Sequence, residues 1–144
     1  MLGIVLILII ALIKLSVEQK QRGNVQLIIP ILSDKINEEF NIDISNLKEN
    51  ETKTYVFKVT NYRDKEINKE NIDYSLSLNK LGNDVDISMY KNQEKDNLLI
   101  KDDFKVMGTL FKEQKMEYTY TIKIKANKKV ENKKKISISI NTIN

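Results

Sequence analysis

The sequence predicts an all-β domain, an antiparallel two-sheet sandwich, carried behind an N-terminal apolar transmembrane helix. Three observations lead there. Short segments between Phe40 and Ile140 alternate strictly between apolar and polar residues, the period of two that marks a strand with one buried face. No long helical pattern competes after Leu15. Residues 2–13 are apolar throughout except for Gly3, so no polar face exists for a helix to show to water.

As a helix, residues 1–13 span about 20 Å and the stretch to Val17 roughly 25 Å, against a hydrocarbon core of about 30 Å. Lys14 can snorkel to the headgroups while Leu15 and Val17 stay in lipid, and local thinning of the bilayer takes up the remainder. Residues 1–17 are therefore expected to be a transmembrane signal anchor and residues 18–24 a polar stem. A cleaved signal peptide is the competing reading, but its cleavage sites are poor. Cutting after Ala11 places Ile9, and cutting after Ser16 places Lys14, where a small residue is wanted. A pilin-type helix would need an amphipathic continuation, whereas the stem is polar on all sides and closes on Gly23-Asn24.

The anchor's downstream flank holds Lys14, Lys20 and Arg22 against Glu18, which by the positive-inside rule favours a cytoplasmic domain. Domains longer than about 60 residues translocate largely regardless of that charge, and a basic stretch ahead of Met1 would restore the usual sign. An extracytoplasmic domain at the cell membrane is the expectation.

About 120 residues follow the stem, enough for one core and too few for two. The chain has neither cysteine nor histidine. That removes disulfides, thiolate nucleophiles, the lipoprotein route, the usual zinc and haem ligand sets and the Ser-His-Asp relay. Catalysis would have to rest on carboxylates, lysine or tyrosine. The formal charge is +4, and it is local: from Lys123 onward seven lysines face one glutamate, so the residues before Lys123 sum to −2.

Taken in order, residues 25–32 are apolar but carry Pro30, which cannot donate to a ladder, and read as an edge strand or a segment lying across the core. Residues 34–39 read as a loop or helical turn. Phe40, Ile42 and Ile44 open the alternation, and Glu49-Asn50-Glu51 turns the chain into the strand of Tyr55, Phe57 and Val59, closed by Asn61. The sequon Asn50-Glu51-Thr52 falls in that turn. A charged loop over 62–71 leads to the strand of Ile72, Tyr74, Leu76 and Leu78. Leu81-Gly82-Asn83-Asp84 then turns into Val85, Ile87 and Met89, as in a hairpin. Residues 98–100 and 104–111 read as weaker strands, bulged around Gly108. Tyr118, Tyr120, Ile122 and Ile124 form a strand, a lysine-rich hairpin tip follows, and Ile136, Ile138 and Ile140 form the last strand.

Seven or eight such strands make a two-sheet sandwich of the immunoglobulin-like kind. Residues 51–61, 73–78 and 118–124 resemble the B, C and F strands of bacterial immunoglobulin-like surface modules. The pattern is also similar to small Gram-positive envelope proteins of the TasA and camelysin kind, with an aromatic-rich penultimate strand. The resemblance covers residues 40–144. It implies an envelope location and structural or adhesive work, and it carries over no functional residue.

Residues 127–135 hold five lysines, Lys128, Lys129, Lys133, Lys134 and Lys135. An ammonium cluster there can hold anionic lipid headgroups or wall polymers; the plainer reading is a solvated turn. No arginine or aromatic residue interleaves to fork or stack, so nucleic acid is not expected. Asp34, Glu38 and Glu39, the pair Asp84 and Asp86, and the pair Asp102 and Asp103 offer oxygen ligands, but none has the spacing of a calcium loop. Adjacent carboxylates on a strand face opposite ways, so a hydrolase built on them is the weakest reading. The tyrosines at 55, 74, 118 and 120 read as core packing with their hydroxyls at the rim. No metal, cofactor or catalytic residue is expected. The expected partners are the membrane, an envelope protein or an anionic wall polymer. Strand addition at the edge formed by residues 25–32 is a route to oligomers.

Overall fold

The computed structural model describes residues 25–79, 82–99 and 104–143; the expected anchor and stem lie outside the described residues. The described residues form ten strands: β1 (Val25–Pro30), β2 (Asn37–Asp43), β3 (Thr52–Thr60), β4 (Tyr62–Arg63), β5 (Glu66–Ile67), β6 (Ile72–Leu78), β7 (Val85–Lys91), β8 (Lys105–Leu110), β9 (Glu117–Ala126) and β10 (Lys135–Ile143). They form two four-stranded sheets, β1-β3-β9-β7 and β2-β10-β6-β8, with β4 and β5 a small separate hairpin. No helix among the described residues is long and apolar enough to cross a membrane.

Alternation builds the core as expected. Phe57 and Val59 of β3, Tyr120, Ile122 and Ile124 of β9, and Met89 of β7 are buried from one sheet. Ile42 of β2, Ile136, Ile138 and Ile140 of β10, Tyr74 and Leu76 of β6, and Leu110 of β8 are buried from the other. Each such side chain contributes on the order of 1.5–3 kcal/mol by leaving water. Phe40 locks β2 over β3, its ring centroid 5.8 Å from Tyr55 and 5.1 Å from Phe57.

Among the described residues β1 is an edge strand, paired only with β3, and it runs parallel to it. Pro30 ends the strand, where its missing N–H leaves no gap, and Ile31 N resumes the pairing by donating to Thr60 O at 2.7 Å. The register slips between Val25 and Leu27. There the Gln26 side chain substitutes for the backbone, its Oε1 accepting from Val56 N at 2.9 Å.

Three expectations are corrected. The first concerns connectivity: the eight long strands alternate between the sheets all along the chain, so none pairs with its successor. Residues 82–84 therefore turn a corner between sheets and do not close a hairpin, and the lysine-rich segment is likewise a crossing. The immunoglobulin order, with consecutive strands side by side in one sheet, is not the order here. The physical reason is occupancy: β6 already has β10 and β8 as neighbours, and β9 has β3 and β7.

The second concerns β8, which is unbulged, its register with β6 continuous from Leu110 to Lys105. Gly108 instead makes room for the Tyr74 ring, since a Cβ at that position would lie 2.3 Å from Tyr74 Cζ. The third concerns Leu98 and Leu99, which form no strand. Leu98 N donates to Met89 O at 2.8 Å, laying the loop along the outer edge of β7.

Crossings gather the loops at two ends. Residues 44–51, 82–84 and 127–134 meet at one, the lysine end; residues 31–36, 61–71 and 111–116 meet at the other, the hairpin end. β1 runs parallel to β3 toward the hairpin end, with Val25 in register with Val56, midway along β3.

Candidate functional site

The lysine end is closed by a backbone that grips its neighbour. Val130 is buried, and its N–H donates to Leu47 O at 2.9 Å, plugging the open end between the sheets. Ile44 N donates to Lys134 O at 3.0 Å, and Lys134 N donates to Ser45 Oγ at 2.9 Å. Asn132 turns the chain by accepting from Lys133 N at 3.0 Å, with Lys133 at φ 58°. The lysine stems thus leave a fixed backbone.

Their charges are not equivalent. Lys128 Nζ lies 3.0 Å from Asp84 Oδ1, and Lys134 Nζ is 4.0 Å from Glu131 Oε2. Lys129, Lys133 and Lys135 are exposed and make no ion pair among the described residues. Asp43 sits across the ladder from Lys135. Its carboxylate is held below its ordinary range by hydrogen bonds from Ser45, with nearby Lys53 adding to the effect. A shallow hollow of about 640 Å³ opens between β2 and the loop, lined by Asn41, Asp43, Asn46, Lys133 and Lys135 among others. This geometry suits contact with spread-out negative charge; it offers no planar fork for a single oriented anion.

The acidic candidates do not converge. Asp34 borders a cleft of about 780 Å³ at the hairpin end, together with Lys65, Glu66, Lys69 and Glu70 over Leu32, Ile67 and Ile72. Glu38 and Glu39 lie apart from it, exposed on β2. Asp84 is taken by Lys128, and Asp86 Oδ1 accepts from Asn127 Nδ2 at 3.1 Å. Asp102 and Asp103 lie outside the described residues. Among the described residues no group of three or more acidic side chains is placed to hold a metal ion. Asn50 of the sequon sits in a turn at φ 66°.

The tyrosines divide. Tyr55 and Tyr118 stay half-buried at the rim, as expected. Tyr74 and Tyr120 are fully buried from opposite sheets, and their hydroxyls share a hydrogen bond of 2.6 Å inside the core. Burial pushes the Tyr120 hydroxyl up to about 12 and the Tyr74 hydroxyl higher still. The ring space left at Gly108 makes this depth reachable for Tyr74.

The sequence reading missed a polar cluster at the hairpin end. Asn61 and Asn68 are buried, and Asn61 Nδ2 donates to Asn68 Oδ1 at 2.8 Å, Phe111 O at 2.9 Å and Gln114 O at 2.6 Å. Asn61 Oδ1 accepts from Met116 N at 2.7 Å. The two amides cinch β3, the β4–β5 hairpin and the β8–β9 turn together. The available signal was their symmetry about the charged turn in Asn61-Tyr62-Arg63-Asp64-Lys65-Glu66-Ile67-Asn68. Beside them Tyr62 donates to Glu117 Oε2 at 2.9 Å, a bond that raises the phenol and lowers the carboxyl. Comparison with known proteins finds no matching family model, no matching curated protein and no matching solved structure.

Proposed function

We propose that the chain is a single-pass, membrane-anchored sandwich module at the cell envelope, its domain on the extracytoplasmic side, acting by contact and not by catalysis. One observation supports this above the others: the apolar run of residues 2–13 stands ahead of a domain whose core is already filled by residues 25–143. A stretch that greasy needs burial, and lipid is the burial that its length and uniformity match. The envelope modules that the sequence resembles imply structural or adhesive work.

The expected behaviour of the full-length chain is retention in the membrane fraction through alkaline carbonate extraction, with an unprocessed N-terminus. A mature chain beginning beyond Ala11 would replace the anchored module with a secreted surface-fibre subunit.

Self-association through a strand edge is a second reading, favoured by β1. Ile28 on that edge strand is 59 % exposed, whereas β2 carries Glu38 and Glu39 and the loop after β7 covers the β7 edge. Concentration-dependent assembly that survives Ile28→Lys would exclude β1 as the contact.

A further inference from the structure

We infer that β1 is the contact of a closed dimer, in which two copies of the chain pair their β1 strands antiparallel across a two-fold axis at Ile28 and join their sheets into one. The inference rests on the strand-edge reading above and names its occupant and its geometry. Two independent observations meet in it.

The first is the contrast among the sheet edges. On β7, Met89 N donates to Asn97 Oδ1 at 2.9 Å and Met89 O accepts from Leu98 N at 2.8 Å, so a loop has taken that edge. On β8, Thr109 O accepts from the Tyr118 hydroxyl at 3.0 Å, and just beyond it Phe111 N donates to Met116 Sδ at 3.2 Å. On β2, the backbone groups turned away from β10 belong to Asn37, Glu39, Asn41 and Asp43, where two carboxylates repel an incoming acidic strand and Lys53 Nζ donates to Asp43 O. Among the described residues β1 has no such cover. Residues 25–32 carry no charged side chain, and Ile28 is 59 % exposed. An uncharged open edge is a template for another strand.

The second is the symmetry of what that edge offers. Ile31 N donates to Thr60 O, and strand residues alternate, so Leu27 and Ile29 turn their backbone groups to β3 while Ile28 turns its N–H and C=O to the open side. Pro30 has no N–H to give, and Gln26 lies at the slip in register. A two-fold axis at Ile28 opposes Pro30 of one copy to Gln26 of the other, which puts both irregular residues at the margin. At the centre, Ile28 N of each copy donates to Ile28 O of the other. The two Ile28 side chains then cover each other on one face, and Leu27 of one copy meets Ile29 of the other on the core face. Lys58, in register with Ile28 on β3, is already paired with Glu117 at 3.2 Å. Because one patch serves both copies, the arrangement closes at two and builds no fibre. So short a contact makes a weak dimer that a single charge dissolves.

The test uses the full-length chain, made in one cell population with two different tags. Co-purification of the tags from detergent-solubilised membranes reports self-association. The chain has no cysteine, so introduced thiols report geometry after mild oxidation. Across the axis the Ile28 Cα atoms are about 5.5 Å apart, within disulfide range. The expected result is co-purification that Ile28→Lys abolishes, and a disulfide-linked dimer of Ile28→Cys several-fold more abundant than that of Met107→Cys, an exposed position on β8. Gln26→Cys in one copy and Pro30→Cys in the other should give a mixed dimer, while neither dimerises alone. An amine cross-linker should give nothing larger than a dimer.

Co-purification that Ile28→Lys abolishes, without a disulfide at Ile28→Cys, would overturn the two-fold register and leave self-association through β1 standing. Tags that do not co-purify, with no disulfide at Ile28→Cys, would overturn both. A ladder of larger species would replace the closed dimer with a fibre. Ile28→Cys trapped on a different protein, and not on itself, would overturn the second copy as occupant in favour of a strand from that protein.

Discussion

At the hairpin end the sandwich is shut by buried amides; at the lysine end it is shut by a buried valine under a charged loop. Asn61 and Asn68 satisfy backbone groups of the β8–β9 turn from within the protein, with Asn61 fully enclosed. Val130 plugs the opposite end with an apolar side chain, its N–H bonded to Leu47 O, while the side chains of Lys128, Lys129 and Lys133 around it are exposed. Polar groups taken inside fix a geometry, while those left outside remain free to meet a partner. The contrast points to the hairpin end as scaffold and the lysine end as contact surface.

The sharpest way to break this contrast is Asn61→Ala. It strands two carbonyls and an N–H that the amide now serves, each worth about 1–3 kcal/mol when left unmet, so a loss of roughly 4 kcal/mol is expected in urea denaturation. A loss under about 1 kcal/mol would mean that water replaces the amide and the end is open. Val130→Ala should cost less, about 2 kcal/mol, because only packing is removed. A greater loss there than at Asn61 would reverse the assignment of scaffold.

Between the two ends, the Tyr74 and Tyr120 pair ties the sheets across the core and gives a pH signature. Both folded-state values are raised above that of a free tyrosine, so their stabilising effect is complete below about pH 10. It is lost as pH rises through the folded values, at about 1.4 kcal/mol per pH unit for each group. Stability measured by denaturant titration at rising alkaline pH should fall with that slope. Glu117 works in the opposite direction: its lowered value gives stability above the ordinary carboxyl range that fades as pH falls through the folded value.

The smallest effect is expected from K129Q/K133Q/K135Q, within about 0.5 kcal/mol of the parent, since exposed charges without partners contribute little to folding. A loss of 2 kcal/mol or more would make the lysines structural and remove their case as a contact surface.

The strands themselves were legible because a half-buried strand imprints a period of two: Tyr55, Phe57 and Val59, or Ile136, Ile138 and Ile140, could be placed without coordinates. Pro30 likewise marked β1 as an edge. Pairing was not legible, because alternation says which side chains face inward but not which sheet receives the strand. Hence the turn at Gly82 and the lysine segment read as hairpins while both cross between sheets. Gly108 reads as a bulge from sequence because its use, space for a ring thirty-four positions earlier, exists only in three dimensions. The lysine cluster was visible as composition. Its position at the end opposite the buried amides depends on how β9 and β10 pair with β3 and β2, which no local pattern encodes.

The most direct measurement is protease shaving of intact cells expressing the full-length chain with a C-terminal tag. Loss of the tag, with cytoplasmic markers intact, is the result expected of a sandwich held outside by its anchor. A tag that survives on intact cells and falls only after lysis would place the domain in the cytoplasm and contradict the account.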